Sequence, residues 1–527
     1  MSKSLKNISV VASATVLSRV LGLVRESVTA AVFGASALNS AFVSAFTLPN
    51  LFRRLLGEGA LTAAFVPTLT QEFEHHDRAG AFRLVSKVAS WLLVVTTVIV
   101  LLATLAFANA EALVRMAADW GVAEDTSRRL LLGADLAIVL FPYMILVCLA
   151  AAFSAACQVL GRFAEPALSP VWLNLTILSA LGLGAWWAWG ATERMNLLCL
   201  GVLVGGFLQM AVPASVLWRE GWRPRFDLHA DERVREIVRI MGPTVIGSAI
   251  YLINISVSRF IGLSLNDAAA TVLNLATRLM ELPIGVFTIA VATVVFPLIA
   301  RHAAKGDWQS LTADYHKGLR LVLVINIPAA AGLALLGEPI TRLLFQHGAF
   351  TAADTHRMTP VLAAYALGLP FISFTSLSLR GFYALRDTAT PVRAAALSFV
   401  VNIVLSLVLM RWLSTAGLAL ASTVAVIAQA MFLQTRLARK HPGFAAASLL
   451  PNIGKIVVAT ALMAAVVWGG ARGVAALGWP VRAGDFLVVL GVIPVAAALY
   501  GATLWLMRIE GREDLEQVIE RVRAKLR

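Results

Sequence analysis

Residues 9–33 read SVVASATVLSRVLGLVRESVTAAVF, an apolar stretch long enough to cross a bilayer that nevertheless contains Arg19, Arg25 and Glu26. About 20 mainly apolar residues span the hydrocarbon core as a helix. An ionised side chain at that depth is costly, and it usually faces a bundle interior or a water-filled cavity. The stretch therefore predicts a membrane helix with a charged face turned toward other helices.

Similar apolar stretches recur along all 527 residues, which are 59% hydrophobic and 14% charged. Because lipid offers the backbone no hydrogen-bond partners, each stretch predicts a helix. We expect an all-α integral membrane protein with fourteen transmembrane helices. The predicted spans are 8–33, 38–72, 85–108, 130–159, 166–190, 195–218, 236–263, 268–300, 317–337, 358–384, 391–412, 414–435, 452–475 and 483–507.

The net charge of +14 lies mainly in alternate loops and in the C-terminal tail. If the N-terminus is cytoplasmic, the cation-rich loops share that side, as the positive-inside rule requires. In the opposite loops, Arg128 and Arg129 are partly offset by Glu124 and Asp125. The pattern predicts that both termini are cytoplasmic, and it counts against nucleic-acid binding.

Cysteine spacing gives no sign of a disulfide framework or a metal site. Cys148, Cys157 and Cys199 all lie in apolar segments, so we expect buried, inert thiols. The sequence also shows no metal-ligand spacing, catalytic Ser-His-Asp grouping or phosphate-binding loop. We therefore predict no metal, no cofactor and no enzymatic activity.

The chain contains a weak but ordered internal repeat. Arg25 precedes Pro49 by the same number of residues as Arg259 precedes Pro283. Six helices per copy give both copies the same orientation, so the repeat predicts two lobes around a central path. Later matched pairs are Pro67 with Pro297, Pro166 with Pro391, and Asn174 with Asn402. We expect the two asparagines to bond between helices.

The repeat also predicts the limits of the domains. An N-terminal six-helix lobe covers 1–220, a cytoplasmic linker 221–235, and a C-terminal six-helix lobe 236–440. Two further helices within 441–510 lie outside the repeat. The tail 511–527 intersperses glutamates and arginines, which predicts an amphipathic helix on the cytoplasmic surface.

Five arginines and three glutamates in helices 1, 2 and 8 form the candidate binding site. Their excess positive charge of two matches a diphosphate diester, which carries about two negative charges. Arginine presents a planar fork that suits phosphate oxygens, and its charge does not titrate away. Snorkelling of single arginines to the membrane surface is the alternative. The residues are Arg19, Arg25, Arg53, Arg54, Arg278, Glu26, Glu58 and Glu281, with Arg259 adding to the excess if it faces inward.

Helical spacing pairs several of these charges. Arg54 and Glu58 stand at i,i+4, and Arg278 and Glu281 at i,i+3, so each pair shares a helix face. Pro283 follows in the same segment, and proline in a membrane helix marks a kink.

Four stretches resemble signatures of the MurJ/MviN family of lipid II flippases. They are SRVLGLVRE (18–26), LPNLFRRLLGEGALTAAFVP (48–67), RLMELP (278–283) and LFQHGAFT (344–351), and the likeness extends over essentially the whole chain. The resemblance implies the fold of the multidrug/oligosaccharidyl-lipid/polysaccharide exporter superfamily. It also implies a protein of the bacterial cytoplasmic (inner) membrane that moves the undecaprenyl-diphosphate-linked peptidoglycan precursor, lipid II, to the outer leaflet.

The resemblance further assigns roles to residues. It implies that the five arginines line a central cavity, with Glu58 and Glu281 as their partners. It implies that the helices of 441–510 form a groove for the lipid tail. Lipid II and membrane lipids are then the expected partners of a monomer that works by alternating access.

The chain departs from the family pattern at four positions where polar or charged residues are frequent. Missing acids count against sodium coupling and leave the membrane potential as the candidate energy source. The loss of polar partners also leaves room for a variant lipid-linked precursor. Asn254 and Asn402 are the weaker candidates for an ion site. The four departures are Ser40, Thr47, Ser258 and Ser406.

Three other functions fit parts of the sequence. A flippase for another polyprenyl-linked oligosaccharide fits the arginines equally well. A drug exporter of the same superfamily for cations needs net acid in its cavity, which this chain lacks. A membrane polyprenyl-phosphate glycosyltransferase needs a metal-binding acid pair or a catalytic carboxylate in a sizeable loop, and no loop here is large enough.

Overall fold

A computed structural model describes residues 3–52, 61–75, 77–119, 123–187 and 189–510. These residues form helices and short connections, with no strand among them, which confirms the all-α class. Within them the helices are α1 Lys3–Phe33, α2 Ala37–Phe52, α3 Leu61–His75, α4 Arg78–Ala108, α5 Ala110–Asp119, α6 Glu124–Leu140, α7 Tyr143–Val159, α8 Ala164–Trp186, α9 Ala191–Arg219, α10 Glu232–Leu265, α11 Ala269–Pro283, α12 Ile289–Lys305, α13 Trp308–Leu335, α14 Gly337–Phe345, α15 Ala352–Ala366, α16 Leu369–Ala384, α17 Ala389–Lys440, α18 Leu450–Ala476, α19 Val481–Leu487 and α20 Ile493–Leu506.

The membrane-spanning character of the chain is confirmed. In the described part, 8 helices are long and apolar enough to cross a membrane, or up to 9 if α6 and α7, bent by 43°, form one span. The predicted spans 391–412 and 414–435 both fall in α17, which is two helices joined at Ser414, where φ is 49° and ψ is −131°. The full count of fourteen stays a prediction.

The described residues pack into two compact units. Unit 1 comprises 1–271 and 347–350, and unit 2 comprises 272–346 and 351–527. Helix α10, which the repeat assigns to the second lobe, packs against α2, α3 and α6 in unit 1. The boundary by contacts therefore falls inside α11, and the lobe limits drawn from the repeat stay a prediction.

Unit 1 is built on close helix contacts that small residues permit. A Cβ at Gly205 of α9 would lie 2.5 Å from Thr176 Oγ1 of α8, and one at Gly206 would lie 2.6 Å from the Tyr143 ring. Lipid tails are as apolar as the helix side chains, so the hydrophobic effect does not drive membrane helices together. They rely instead on close van der Waals packing of this kind. Larger side chains here would push α8 and α7 away from α9.

The predicted linker runs along α4 rather than standing free. Trp222 is buried and its Nε1 donates to Ser86 Oγ at 3.0 Å. Lys87 Nζ pairs with Asp231 Oδ2 at 2.6 Å, and the Asp227 N–H donates to Ser90 Oγ at 3.0 Å. These contacts fix the approach of the chain to α10.

In unit 2 the helices after residue 441 pack on the bundle. Helix α13 contacts α12, α16 and α18, and α18 contacts α20. The Tyr500 hydroxyl of α20 donates to the Val324 carbonyl of α13 at 2.6 Å. This placement leaves the predicted lipid-tail groove a prediction, because no lipid contact defines it.

In each unit, an ion pair holds the loop after one helix to the end of a later helix. The loop residue is an arginine in unit 1 and an aspartate in unit 2. In unit 1, Arg162 after α7 pairs with Glu220 after α9 at 2.8 Å. In unit 2, Asp387 after α16 pairs with Lys440 at the end of α17 at 2.9 Å. The equivalent placement agrees with the repeat even though the charges are exchanged.

Asp387 also holds the start of α17. It accepts hydrogen bonds from the Thr390 N–H at 3.0 Å and the Thr390 hydroxyl at 2.7 Å. Desolvation works to raise the pKa of Asp387, but the Thr390 hydrogen bonds and the Lys440 charge together lower it to about 2. A depressed carboxyl pKa stabilises the fold at every pH above the unfolded value.

We predict that Asp387→Ala lowers stability by about 1–2 kcal/mol, because the first turn of α17 loses its cap. Asp387→Asn keeps one oxygen to accept from the Thr390 N–H but loses the charge and the second acceptor oxygen, so its cost should be smaller than that of the alanine variant. Thermal unfolding in detergent measures both. The difference between the native protein and the Asn variant should vanish as pH falls from 3.8 through about 2, where Asp387 is protonated in the fold. An Ala variant as stable as the native protein would contradict the cap.

Candidate functional site

Arg25 lies on α1 and is held by two side chains. Its Nη2 donates to Glu26 Oε1 at 2.6 Å, and its Nη1 donates to Asn174 Oδ1 of α8 at 3.0 Å. The Asn174 amide nitrogen in turn donates to the Ser18 carbonyl of α1 at 3.2 Å. A guanidinium has five N–H donors. With two of them held, the others are oriented in advance for an oxyanion, which suits the planar fork of arginine.

One part of the predicted polar face of α1 packs against α8, and another part is exposed. Glu26 is buried, and a Cβ at Gly22 would lie 3.8 Å from Asn174 Nδ2. Arg19, expected on the same face, is exposed. The glycine thus lets α8 bring its asparagine to Arg25, and Arg19 stands one to two turns away.

Arg278 and Glu281 form the predicted pair on α11 in unit 2. Arg278 Nη1 lies 2.9 Å from Glu281 Oε2, and the two side chains are 30% and 42% exposed. The helix ends at Pro283 and continues as a π-helix, Ile284–Thr288. Single-turn π-helices are uncommon and occur often at functional sites. A π-helical turn therefore follows the charged pair directly, and the kink predicted from Pro283 stays a prediction.

A buried polar network holds this π-helix in place. The Thr288 hydroxyl lies 2.8 Å from Ser373 Oγ of α16, and Asn326 Nδ2 of α13 donates to Thr288 Oγ1 at 3.1 Å. All three side chains are buried. No sequence pattern marks these three residues, because each is a single polar residue in an apolar segment.

The remaining predicted site residues have different outcomes. Arg53, Arg54 and Glu58 lie outside the described residues. Arg259 is buried in unit 1 and its Nη1 donates to the Ala270 carbonyl at 3.1 Å. This hydrogen bond ties α10 to the start of α11.

Arg129 is a buried charge that the sequence did not single out. Its Nε and Nη2 donate to the carbonyls of Leu263 and Ser264 at 3.0 Å each, and its Nη1 pairs with Asp267 at 3.1 Å. Those carbonyls end α10, and a cation is favourable at a helix C-terminus. The expected acidic neighbours in its own helix pair only weakly, with Arg128 at 4.0 Å from Asp125.

The family-like stretch 344–351 contacts the end of α1 at two glycines, Gly348 in the stretch and Gly34 after α1. The Ala349 N–H donates to the Ala31 carbonyl at 2.7 Å. Gly34 and Gly348 have φ of 63° and 55°. A Cβ on Gly34 would lie 2.6 Å from the Ala349 carbonyl oxygen. Only glycine fits such backbone contact in a left-handed conformation.

The candidate ion residues are polar but not acidic. Asn402 is buried and accepts a hydrogen bond from Ser422 at 3.0 Å, across the bend of α17. Ser406 is also buried, while Asn254 lies on α10 in unit 1. Both Asn174 and Asn402 thus bond between helices, as predicted. Among the described residues no group of three or more His, Cys, Asp or Glu could hold a metal ion.

Ser40 fills the position of the first missing acid without leaving a polar void. Its hydroxyl is buried, donates to the Asp267 carbonyl at 2.6 Å and lies 3.0 Å from Thr271 Oγ1. The serine therefore fastens the α10–α11 turn within unit 1. The three cysteines are also buried and free, as expected.

Solved structures of membrane transporters share this fold. An inward-facing multidrug resistance MATE family transporter of the MOP superfamily has a TM-score of 0.62 to this chain at 13% identity, covering 80% of this chain and 95% of that chain. A structure described as lipid II flippase MurJ in an inward closed conformation reaches a TM-score of 0.76 at 24% identity, covering 96% and 99%. At these identities the likeness shows the fold alone.

Sequence comparison identifies the family within that class. The family model described as lipid II flippase MurJ matches residues 29–481. A probable lipid II flippase MurJ of Rhizobium meliloti (strain 1021) is 33% identical over 504 residues, covering 94% of this chain and 92% of the relative. The chain belongs to the MurJ family, a family of transporters rather than enzymes.

We predict that Asn174→Leu weakens the α1–α8 contact by about 1–3 kcal/mol, because Arg25 Nη1 and the Ser18 carbonyl lose their partner. Thermal unfolding in detergent measures the loss. Asn402→Leu is the matched control at the equivalent position of unit 2, and it should leave the Arg25 contacts intact. A spectroscopic probe on α1 that responds equally to both variants would contradict the specific role of Asn174.

Proposed function

We propose that this chain is a lipid II flippase that moves the undecaprenyl-diphosphate-linked peptidoglycan precursor from the inner to the outer leaflet of the cytoplasmic membrane. Membership of the MurJ family supports the substrate. The structural observation that carries the proposal is the fixed Arg25 guanidinium on α1, paired with Glu26 of the same helix and Asn174 of α8. In this role the chain serves cell-wall biogenesis and the maintenance of cell shape.

The arginines bind the diphosphate, and their acidic neighbours lower the affinity of that binding. Arginine forms charge-assisted, often bidentate hydrogen bonds with phosphate oxygens. Glu26 and Glu281 each compete with the ligand for one guanidinium, at 2.6 and 2.9 Å. A carrier must release its cargo, so this competition keeps the ligand from being trapped. With Glu58 offsetting Arg54, Arg19 and Arg53 supply the excess positive charge of two that the acids do not cancel.

Translocation proceeds by alternating access. The diphosphate and sugar enter the cavity while the polyprenyl tail stays in lipid beside the helices of 441–510. The two lobes then rock around the bound headgroup. Both termini lie in the cytoplasm, because the cation-rich loops then share that side.

Membrane potential biases the cycle. Moving one elementary charge across the membrane is worth about 2.3 kcal/mol per 100 mV. The arginines carry fixed charge, whereas the candidate ion residues Asn254 and Asn402 carry none. The potential therefore acts on the charge of the cavity and its ligand rather than on a bound sodium ion.

We predict that Arg25→Ala and Arg278→Ala each reduce flipping of lipid II by about tenfold or more, because each removes charge-assisted hydrogen bonds to phosphate. Arg25→Lys keeps the charge but loses the fork, so it should recover only part of the rate. Flipping is measured in proteoliposomes with labelled lipid II. Complementation of a strain depleted of its own flippase gives the same ranking in cells.

Arg128→Ala is the control, because Arg128 is an exposed cation that lies 4.0 Å from Asp125 and is not a predicted site residue. It should flip at the native rate. Undiminished flipping by Arg25→Ala at normal membrane insertion would contradict the clamp. Failure of the native chain to complement, with good expression, would favour another polyprenyl-linked oligosaccharide as the cargo.

We predict that replacing sodium by potassium or choline leaves the flipping rate unchanged within about twofold, because the sites lack the carboxylates that hard cations prefer. A potassium diffusion potential, set with valinomycin, should change the rate in the same vesicles. Ser406→Asp provides a gain-of-function comparison for sodium dependence. A strict sodium requirement in the native chain would contradict this assignment.

A further inference from the structure

Arg380 is a second kind of buried arginine, outside the cavity residues discussed above. It lies on α16 in unit 2, and its side chain is partly buried. The other arginines whose contacts are described above each have an acid, amide or carbonyl beside them: Arg25, Arg129, Arg259 and Arg278. Among the described residues Arg380 makes no hydrogen bond or ion pair, and its Nε is buried without an acceptor.

The packing of α16 explains how Arg380 is held. Leu377 and Ser378 are fully buried, and Ser378 Oγ lies 2.9 Å from the Tyr315 hydroxyl of α13. Arg380 stands on the flank of the helix, with its guanidinium carbon 5.6 Å from the centre of the Phe296 ring of α12. A cation over an aromatic face is attracted, but the ring satisfies none of its N–H donors.

A partly buried guanidinium without hydrogen-bond acceptors is a candidate group for binding an anion. Leaving buried donors unpaired costs about 1–3 kcal/mol, more for a charged group. Ionisable residues within membrane segments are rare and normally paired. Because Nε alone is fully shielded, the terminal amines of Arg380 are the groups that an outside ligand can reach.

Depth in the membrane decides which anion is available. Arg380 lies four residues before the end of α16, or about 6 Å at 1.5 Å per residue. The following loop carries Arg386 and is one of the loops that the positive-inside rule assigns to the cytoplasm. At that level the abundant anions are lipid phosphates, whose oxygens match the guanidinium fork. Tyr383, one turn further along, is 47% exposed and offers a hydroxyl beside them.

We propose that Arg380 binds the phosphate of a lipid headgroup in the cytoplasmic leaflet, against Phe296 and beside Tyr383. Two lipids carry this chemistry: an anionic phospholipid, and the polyprenyl diphosphate of the incoming cargo. The second source rests on the proposed flippase function, whereas phosphate binding itself does not. In either case α16 carries a phosphate contact of its own, separate from Arg278.

The test is native mass spectrometry of the full chain, released from detergent after incubation with phosphatidylglycerol or with undecaprenyl diphosphate. Arg380→Ala should lower the retained adduct of one of these lipids by about tenfold, because one charged hydrogen-bonding group is lost. Arg380→Lys keeps the charge without the fork and should give an intermediate loss. The lipid whose adduct falls identifies the source.

Arg436→Ala is the matched control. Arg436 also lies over a phenylalanine, 5.1 Å from the centre of the Phe432 ring, but it is exposed. It should retain both lipids as the native chain does. If Arg380→Ala misfolds, Phe296→Leu and Arg380→Lys carry the test, and both should weaken the same adduct. Native-level adducts of both lipids in folded Arg380 variants would overturn the proposal. A native chain that flips no lipid II but loses an adduct in Arg380→Ala would refute the flippase and leave this site standing.

Discussion

The structure depends on the hydrogen-bond acceptors that surround arginines inside apolar helices. A guanidinium carries five N–H donors, so the helices around Arg25 must supply acceptors. Glu26 supplies one from the same helix and Asn174 supplies another from α8. The α1–α8 contact is therefore a polar contact at its centre and a small-residue contact at Gly22. Binding and packing at this point are the same interaction, and a ligand that draws on Arg25 acts directly on the position of α1.

Much of this arrangement follows from sequence, and what does not follow has a physical reason. Apolar length predicts the helices, and i,i+3 spacing predicts the Arg278–Glu281 pair, because both are local properties. The partner of Arg129 was not predictable, because Asp267 is distant in the chain and Glu124 and Asp125 are near. The short helices α5 and α14 also went unpredicted, because each lies in a connection too short to show a membrane-length apolar signal.

The two units meet the same structural need with different chemistry. Each holds a loop to a later helix end by an ion pair, with an arginine in the loop of unit 1 and an aspartate in the loop of unit 2. The Arg162 and Arg78 guanidinium groups lower the pKa of Glu220, and Thr390 and Lys440 lower that of Asp387. A duplicated fold constrains where a contact lies more strongly than which residue carries the charge. This is consistent with a predicted repeat that is read mainly from prolines and asparagines, with Arg25 and Arg259 as its one matched charged pair.

Serines stand at positions where the family pattern has acids, which bears on whether a bound cation takes part in the proposed transport cycle. Ser40 and Ser406 are buried, and Ser40 satisfies the α10–α11 turn with a neutral hydroxyl. An acid there would need a counter-ion in the low-dielectric interior, and sodium is one candidate that fits. A neutral residue removes that need together with the coupling it would bring. The permanent charges that remain near the membrane interior are then mainly arginines and their glutamate partners. In the proposed cycle, their net charge and that of the diphosphate determine how strongly membrane potential acts, so the cargo and the energy source depend on each other.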